Sequence, residues 1–299
     1  MERDSFIYKL RRKCQVIAND ILPSEWMCKL YSRIVLKKSV NLKNPETFNE
    51  KIQWCKLHYY PNDPLVVKCA DKYAVRDYLE EKGLSHTAVP LLGAWDDAQK
   101  IDWDVLPDKF VLKCAHGCAY NILCPDKSKF DTVAATKQLN KWLKEDFGKF
   151  NQEPHYSKID PRMIVCEEFL GECITDYKFF CFGGEPKYIY VSNDLIHDRQ
   201  AQIGFFYTDG SKMPFKRDDY TDIPSIVLPE FFNEMMDDAK KLSADFPFVR
   251  VDFFIANDRY YFAELTFTPS GGMMPFNPDS YDKEWGDLID LDGVLKSGL

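Results

Sequence analysis

Two strand-like runs near the C-terminus constrain this chain most. They are Phe248-Val249-Arg250-Val251-Asp252-Phe253-Phe254-Ile255 and Tyr260-Tyr261-Phe262-Ala263-Glu264-Leu265-Thr266, with Asn257-Asp258-Arg259 between them. Strand alternation puts Arg250 and Asp252 on one face, and Glu264 with Thr266 on one face of the return strand. Register decides the rest. A two-residue turn at Asn257-Asp258 pairs position 252 with 263 and sends the two carboxylates to opposite faces, whereas a three-residue loop over 257–259 pairs Asp252 with Glu264. The sequence predicts the odd loop or a bulge, with Phe254 and Phe262 sharing the charged faces and limiting their solvation. Two opposed carboxylates on a buried face repel each other unless a cation lies between them, and hard oxygen ligands suit magnesium carrying nucleotide phosphates. Arg250 beside them would neutralise a phosphoryl group or an oxyanion.

The chain around this hairpin is 299 residues long, enough for two or three subdomains. Its formal net charge of −8 argues against nucleic acid as a partner, because phosphate-backbone binding needs a concentrated basic surface. No run approaches the length of a membrane span. The 10 cysteines are dispersed, several inside apolar runs such as Phe180-Cys181-Phe182, which suits reduced thiols and a cytoplasmic setting. The tightest group, Cys114, Cys118 and Cys124 with His116, matches no paired zinc-knuckle spacing.

The first 40 or so residues read as helical. Residues 6–21 interleave apolar side chains with Lys9, Arg11, Arg12 and Lys13, a packing face that also admits weak contact with the inner surface of a membrane. A further helix opens near Phe48, capped by Asn44 or Thr47, with Glu50 placed as in a capping box. Asp71–Leu79 reads as another, ending at Gly83. Strands are expected at 109–114, 163–169, 177–182, 187–191, 203–207, 248–255 and 260–266, and helices at 132–144 and 229–243. The fold class is therefore α+β with largely antiparallel sheets, since Gly183-Gly184-Glu185-Pro186 makes a tight turn between neighbours.

Two more segments carry candidate chemistry. The strand ending at Lys113 runs into His116-Gly117-Cys118-Ala119, a small-residue loop able to bring backbone N–H groups to phosphates. The strand ending in Glu167-Glu168-Phe169-Leu170 can offer backbone donors and acceptors to an adenine edge, with Asp176 and Lys178 on one face of the next strand.

In order along the chain, Phe48-Asn49-Glu50-Lys51-Ile52-Gln53-Trp54, Asp71-Lys72-Tyr73 through Arg76, Phe110-Val111-Leu112-Lys113, Asp176-Tyr177-Lys178-Phe179 and Arg250-Val251-Asp252 with Glu264-Leu265-Thr266 resemble the successive motifs of the ATP-grasp superfamily. More narrowly they resemble its TupA-like branch, associated with teichuronopeptide and other surface-polysaccharide synthesis. That resemblance implies two α+β subdomains clasping ATP, with a helical region at 1–70, the first part of the grasp at 71–165 and a metal- and substrate-binding part at 166–299. It implies nucleotide-binding roles for Lys72, Lys113, His116, Gly117, Glu167, Glu168, Phe169, Leu170 and Asp176. Magnesium would fall to Asp252, Glu264 and Thr266, where Thr266 stands in place of the asparagine common elsewhere in the superfamily. Arg250 would stabilise developing charge, with Lys178, Arg199 and Lys212 as candidates for the γ-phosphate. The loop with Ser270, Gly271 and Gly272 would seat the carboxylate substrate. The implied reaction is ATP-dependent joining of a carboxylate and an amine through an acyl phosphate, on a small molecule or glycan precursor in the cytoplasm. A kinase on the same scaffold and a glycosyltransferase are the alternatives; the latter lacks an Asp-x-Asp pair, since Asp218-Asp219 and Asp237-Asp238 are adjacent.

Overall fold

The structure, a computed structural model, describes residues 17–19, 21–172, 174–193, 202–217 and 220–296. Most of the basic 6–21 segment, and Arg199, lie outside the described residues. No helix among the described residues is long and apolar enough to cross a membrane.

Helices α1 (Ser24–Val35), α2 (Phe48–His58), α3 (Pro64–Ala70) and α4 (Val75–Glu81) come first. A four-stranded sheet follows, built from β1 (Leu91–Trp95), β2 (Phe110–Cys114), β3 (Asn121–Cys124) and β4 (Ile164–Glu168) in the order β1-β4-β2-β3. Helices α5 (Thr132–Lys144), α6 (Phe147–Asn151) and α7 (Pro154–Ser157) sit between β3 and β4 in the chain. A six-stranded sheet contains β5 (Thr175–Phe182), β6 (Glu185–Asn193), β7 (Gln202–Tyr207), β8 (Thr221–Asp222), β9 (Phe248–Ala256) and β10 (Arg259–Thr266). Its order is β10-β9-β5-β6-β7-β8, antiparallel except for the β7–β8 pair. Helix α8 (Phe232–Ser243) packs on one face of it, and α9 (Ser280–Asp287), packed against α2, puts Tyr281 and Trp285 into the cluster on the other face.

Strand β5 is central and buried on both faces. Tyr177, Phe179 and Cys181 enter a cluster with Tyr60, Val66, Leu79, Met235 and Leu242. Phe180 and Phe182 face the other way and join Phe48, Ile52, Phe248 and Trp285. Burying each such aromatic is worth about 1.5–3 kcal/mol.

Helix α2 explains the 48–54 motif. Thr47 is the N-cap and makes the complete capping box with Glu50, which settles the start against Asn44. Two stripes then run at helical spacing. Phe48, Ile52 and Cys55 bury apolar surface in the core. Asn49, Gln53 and Lys56, also buried, hold a loop: Asn49 Nδ2 donates to the Met274 carbonyl at 2.8 Å, Gln53 Nε2 donates to the Gly272 carbonyl at 2.8 Å, and Lys56 Nζ donates to the Gly271 carbonyl at 3.0 Å. These bonds fix a segment with three successive left-handed residues, Ser270, Gly271 and Gly272 (φ 54°, 65° and 75°).

The expected helix at 71–79 begins only at Val75. Asp71 Oδ1 accepts from the Tyr73 amide at 2.8 Å, and the Lys72 amide donates to the Ala115 carbonyl at 3.2 Å. A tertiary contact thus overrides helical periodicity and ties Lys72 to the loop after β2. The expected helix at 229–243 starts at Phe232, and β3 is a strand that the sequence reading did not expect.

At the β9–β10 hairpin the turn is the two-residue one, with Asn257 and Asp258 both left-handed (φ 53° and 56°), and not the three-residue loop. Ala256 pairs with Arg259 and Phe253 with Phe262, after which the register shifts and Asp252 pairs with Glu264. The extra residue is Ala263, so the bulge alternative is the observed one. Phe262 consequently lies on the core face with Phe253 and Tyr260, correcting its expected place beside the carboxylates. Inserting one glycine between Tyr261 and Phe262, inside the strand where the loop cannot absorb it, should turn Phe262 out of the core and cost about 1.5–3 kcal/mol, read as a fall in the urea midpoint. Deleting Ala263, which keeps both the core phase and the Asp252–Glu264 pairing, should cost less; the reverse ranking would contradict this register.

Candidate active site

A cavity of about 470 Å³ lies between the two sheets. It gathers Lys72, Lys113, Gly117, Glu167, Glu168, Phe169, Leu170, Asp176, Lys178, Asp252 and Glu264, which are far apart in sequence. Val111 and Phe254 add apolar walls, as do Val89, Leu123 and Ile174, which sequence reading left unassigned. Such a lining, apolar with a few convergent polar groups, suits a small-molecule ligand.

The charged end is built by register. Lys178 on β5 pairs with Asp252 on β9, and Asp252 with Glu264 on β10, so three strands aim their side chains into one place. Arg250 grips Asp252 with two parallel bonds, Nε to Oδ1 at 2.7 Å and Nη2 to Oδ2 at 2.6 Å. Lys178 Nζ donates to Asp252 Oδ2 and to Asp176 Oδ1, both at 3.1 Å. Thr266 Oγ1 accepts from Arg250 Nη2 at 3.0 Å and donates to Glu264 Oε1 at 2.9 Å. Lys72 Nζ lies 3.6 Å from Glu264 Oε2 and donates to the Gly117 carbonyl at 2.9 Å. Three carboxylates, Asp176, Asp252 and Glu264, therefore face three cations, Lys72, Lys178 and Arg250.

Burial alone would raise the Glu264 pKa, but the charges of Lys72, Arg250 and Lys178 outweigh it and hold the carboxyl at about 2. Burial would lower Lys178, yet Asp252 and Asp176 raise it well above the usual lysine range. Asp176 is raised, chiefly by burial, against the opposing pull of Lys178.

The other end has its own ion pairs. Lys113 Nζ meets Glu167 Oε2 at 2.6 Å, and Arg76 Nη2 meets Glu167 Oε1 at 2.7 Å. Glu167 is held below its ordinary value because Lys113 and Arg76 overcome the effect of burial. Its side chain positions Lys113, leaving the backbone of Glu168–Leu170 to line the cavity. Gly117 is required where it stands, since a Cβ there would sit 2.7 Å from the Phe147 ring.

A second cavity, of about 710 Å³, shares Cys118 and Glu264 with the first and is lined by Arg250, Thr266, Ser270 and Gly271. Glu153 and Thr268, hydrogen-bonded to each other, lie along it and carry no sequence signal. Two expected residues fall elsewhere. His116 is buried against the Trp142 carbonyl at 3.1 Å, and burial with the charge of Arg162 pushes its pKa down to about 4, so it is a neutral packing residue beside the loop. Lys212 donates to Asp222 Oδ1 at 2.6 Å and to the Ile223 carbonyl at 2.7 Å, a commitment to the β8 edge outside both cavities. Gly272 lines neither cavity and packs under Gln53.

A family model described as TupA-like ATP-grasp matches residues 50–290. The chain belongs to this family. Solved structures agree with the ATP-grasp fold. D-Alanine–D-alanine ligase from Helicobacter pylori superposes with a TM-score of 0.51 at 13% identity, covering 81% of this chain and 69% of that one. D-Alanine–D-alanine ligase from Bacillus anthracis complexed with ATP gives a TM-score of 0.45 at 14% identity, over 74% of this chain and 65% of the other. N5-carboxyaminoimidazole synthetase from Staphylococcus aureus complexed with ADP gives 0.43 at 16% identity, over 82% and 58%. This ATP-grasp chain thus spans 65% of the Bacillus enzyme's length. Comparison with the curated proteins returns no match.

A carboxyl held below its ordinary value in the folded state stabilises the fold above that value and loses the contribution as pH falls through the folded pKa. For Glu264 the window runs from about 4.5 down to about 2. Across it the urea midpoint of the ATP-grasp chain should fall more steeply than that of Glu264→Gln; parallel slopes would contradict the charge arrangement.

Proposed function

We propose that this chain is an ATP-dependent carboxylate–amine ligase that forms an amide through an acyl phosphate. The observation that carries the reading is the junction of two cavities at Glu264: one has the apolar and cationic lining a nucleotide needs, and the other reaches Arg250 from the opposite side. The family assignment and the ligases that share the fold support it.

In this reading adenine lies against the Glu168–Leu170 backbone and the apolar walls, with Asp176 near the ribose. Lys113, Lys72 and the Gly117 loop hold the phosphates. Lys178 and Arg250 meet the γ-phosphate, where preorganised cations stabilise the charge that spreads over its oxygens in transfer. A carboxylate oxygen of the substrate in the second cavity bonds to the γ-phosphorus as the bond to ADP breaks. An amine nitrogen then attacks the acyl carbon, phosphate leaves, and the nitrogen loses its proton.

Magnesium fits this site. Asp252 and Glu264 are opposed on one face, and Glu264 stays ionised at any working pH. No group of three or more His, Cys, Asp or Glu among the described residues forms a ready metal cage. That agrees with an ion held by one or two carboxylates and completed by nucleotide phosphates. When bound, it would screen phosphate charge. Thr266, committed to Arg250 and Glu264, would orient the ligand carboxylate rather than bind metal itself. The Gly271 amide is used by the Thr268 carbonyl, so Ser270, which lines the second cavity, is the loop residue that would meet a substrate carboxylate. A glycan-precursor carboxylate, in the cytoplasm or at the inner membrane surface, is the substrate setting we infer from the family.

Incubation with ATP, magnesium and pooled carboxylates and amines should release ADP with a new amide mass. Release of AMP, turnover of a UDP-sugar without ATP, or ADP with only a phosphorylated product would overturn the ligase reading. Glu264→Gln should cut turnover by about 10²–10³-fold, beyond what its lowered melting temperature explains, at a temperature where the variant is still folded; near-normal turnover would remove Glu264 from the site.

A further inference from the structure

The second cavity has two ends of opposite character. Toward the first cavity it presents Arg250, Glu264, Thr266 and Thr268. Away from it, the wall is helix α1, which contributes Leu30, Ile34 and Val35. Those three side chains are 46%, 48% and 51% exposed, with Leu30 and Ile34 four residues apart on one face of the helix and Val35 next to Ile34 at its C-terminal end. Contiguous exposed apolar side chains mark a surface meant to be covered.

The opposite side of α1 shows why the helix presents this face inward. Cys28 is buried there, and its Sγ donates to Gln53 Oε1 at 2.7 Å, which fixes α1 against α2, while buried Met27 lines the cavity beside Ile34. Gln53 in turn holds the loop at Gly271 and Gly272 that borders the same cavity. Helix α1 lies ahead of residues 50–290, the range that the family model matches. At about 710 Å³ the cavity is in the range of about 300–1,000 Å³ that encloses drug-sized ligands.

We propose that the carboxylate substrate is amphipathic: its carboxylate reaches Arg250 at the junction with the nucleotide cavity, while a sizeable apolar group lies on Leu30, Ile34 and Val35. This rests on the ligase reading for the position of the carboxylate. The polar end sets where reaction occurs, and the α1 wall selects substrates with apolar bulk over compact polar amino acids. An apolar group there would leave water for a wall already shaped by α1, gaining affinity with each methylene buried.

The test uses the full chain with N-acetyl-, N-hexanoyl- and N-decanoylglycine, each below its micelle concentration. Binding is followed by calorimetry, and reaction with ATP by trapping the acyl phosphate with hydroxylamine. Affinity should rise with chain length, by up to about fourfold per buried methylene. Leu30→Asn and Ile34→Asn, at exposed positions outside the core, should weaken N-decanoylglycine tenfold or more and leave N-acetylglycine unchanged. A flat chain-length series, or a gradient that survives both substitutions, overturns the proposal. So does loss of binding to anionic phospholipid vesicles in those variants with the series intact, which would make α1 a membrane-facing helix. Displacement of a fluorescent ATP analogue, sensitive to Lys113→Met, tests the ligase reading separately. A gradient without nucleotide binding keeps the amphipathic cavity and sinks the ligase; nucleotide binding without a gradient does the reverse.

Discussion

A single extra residue lets the β9–β10 hairpin serve two masters. Near the turn, Tyr260 and Phe262 must enter the hydrophobic core; farther along, Leu265 and Phe267 must do so, which changes the phase of the buried face by one position. The bulge at Ala263 absorbs that change and returns Glu264 to the face of Asp252. Were Ala263 paired regularly instead, either two aromatics would leave the core or the carboxylates would part. The two-residue Asn257-Asp258 turn keeps the strands twisted tightly together, so the correction has to be made inside the strand.

Once the register is set, the charges organise one another. Asp252 is almost fully buried, and such a carboxylate is tolerated only because Arg250 binds it with two bonds and Lys178 adds a third. Lys178 is shared with Asp176, and Thr266 links Arg250 to Glu264. Each ion thus has partners that fix its orientation before any ligand arrives. The same logic holds at the far end, where Glu167 steadies Lys113 between β2 and β4. Helix α2 extends the order to the 270–274 loop beside the second cavity through Asn49, Gln53 and Lys56.

Much of this could be read from the sequence, for identifiable reasons. Strong local signals gave correct elements: the Thr47–Glu50 capping box, the amphipathic Thr132–Lys144 helix and the Gly183-Gly184 turn. The bulge was legible only as one of two ways to oppose Asp252 and Glu264, and the switch of buried positions from 260 and 262 to 265 and 267 became visible in the fold. Tertiary contacts hid the rest. Lys72 leaves the helical pattern because its amide serves the Ala115 carbonyl, and Lys212 is drawn away by Asp222. His116 stands next to Gly117 in the chain but turns into the packing below the loop. Glu153, Thr268 and the α1 wall meet Arg250 only in three dimensions, and no spacing announces them.

The central claim is that a nucleotide and its cation meet Asp252, Glu264 and Arg250 at the junction of the two cavities. A crystal structure with manganese and a non-hydrolysable ATP analogue tests this most directly, with anomalous scattering locating the metal. The account expects adenine against the Glu168–Leu170 backbone, the terminal phosphate beside Lys178 and Arg250, and a manganese peak touching both Asp252 and Glu264. A nucleotide seated outside the cavity, or a metal bound without either carboxylate, would contradict it.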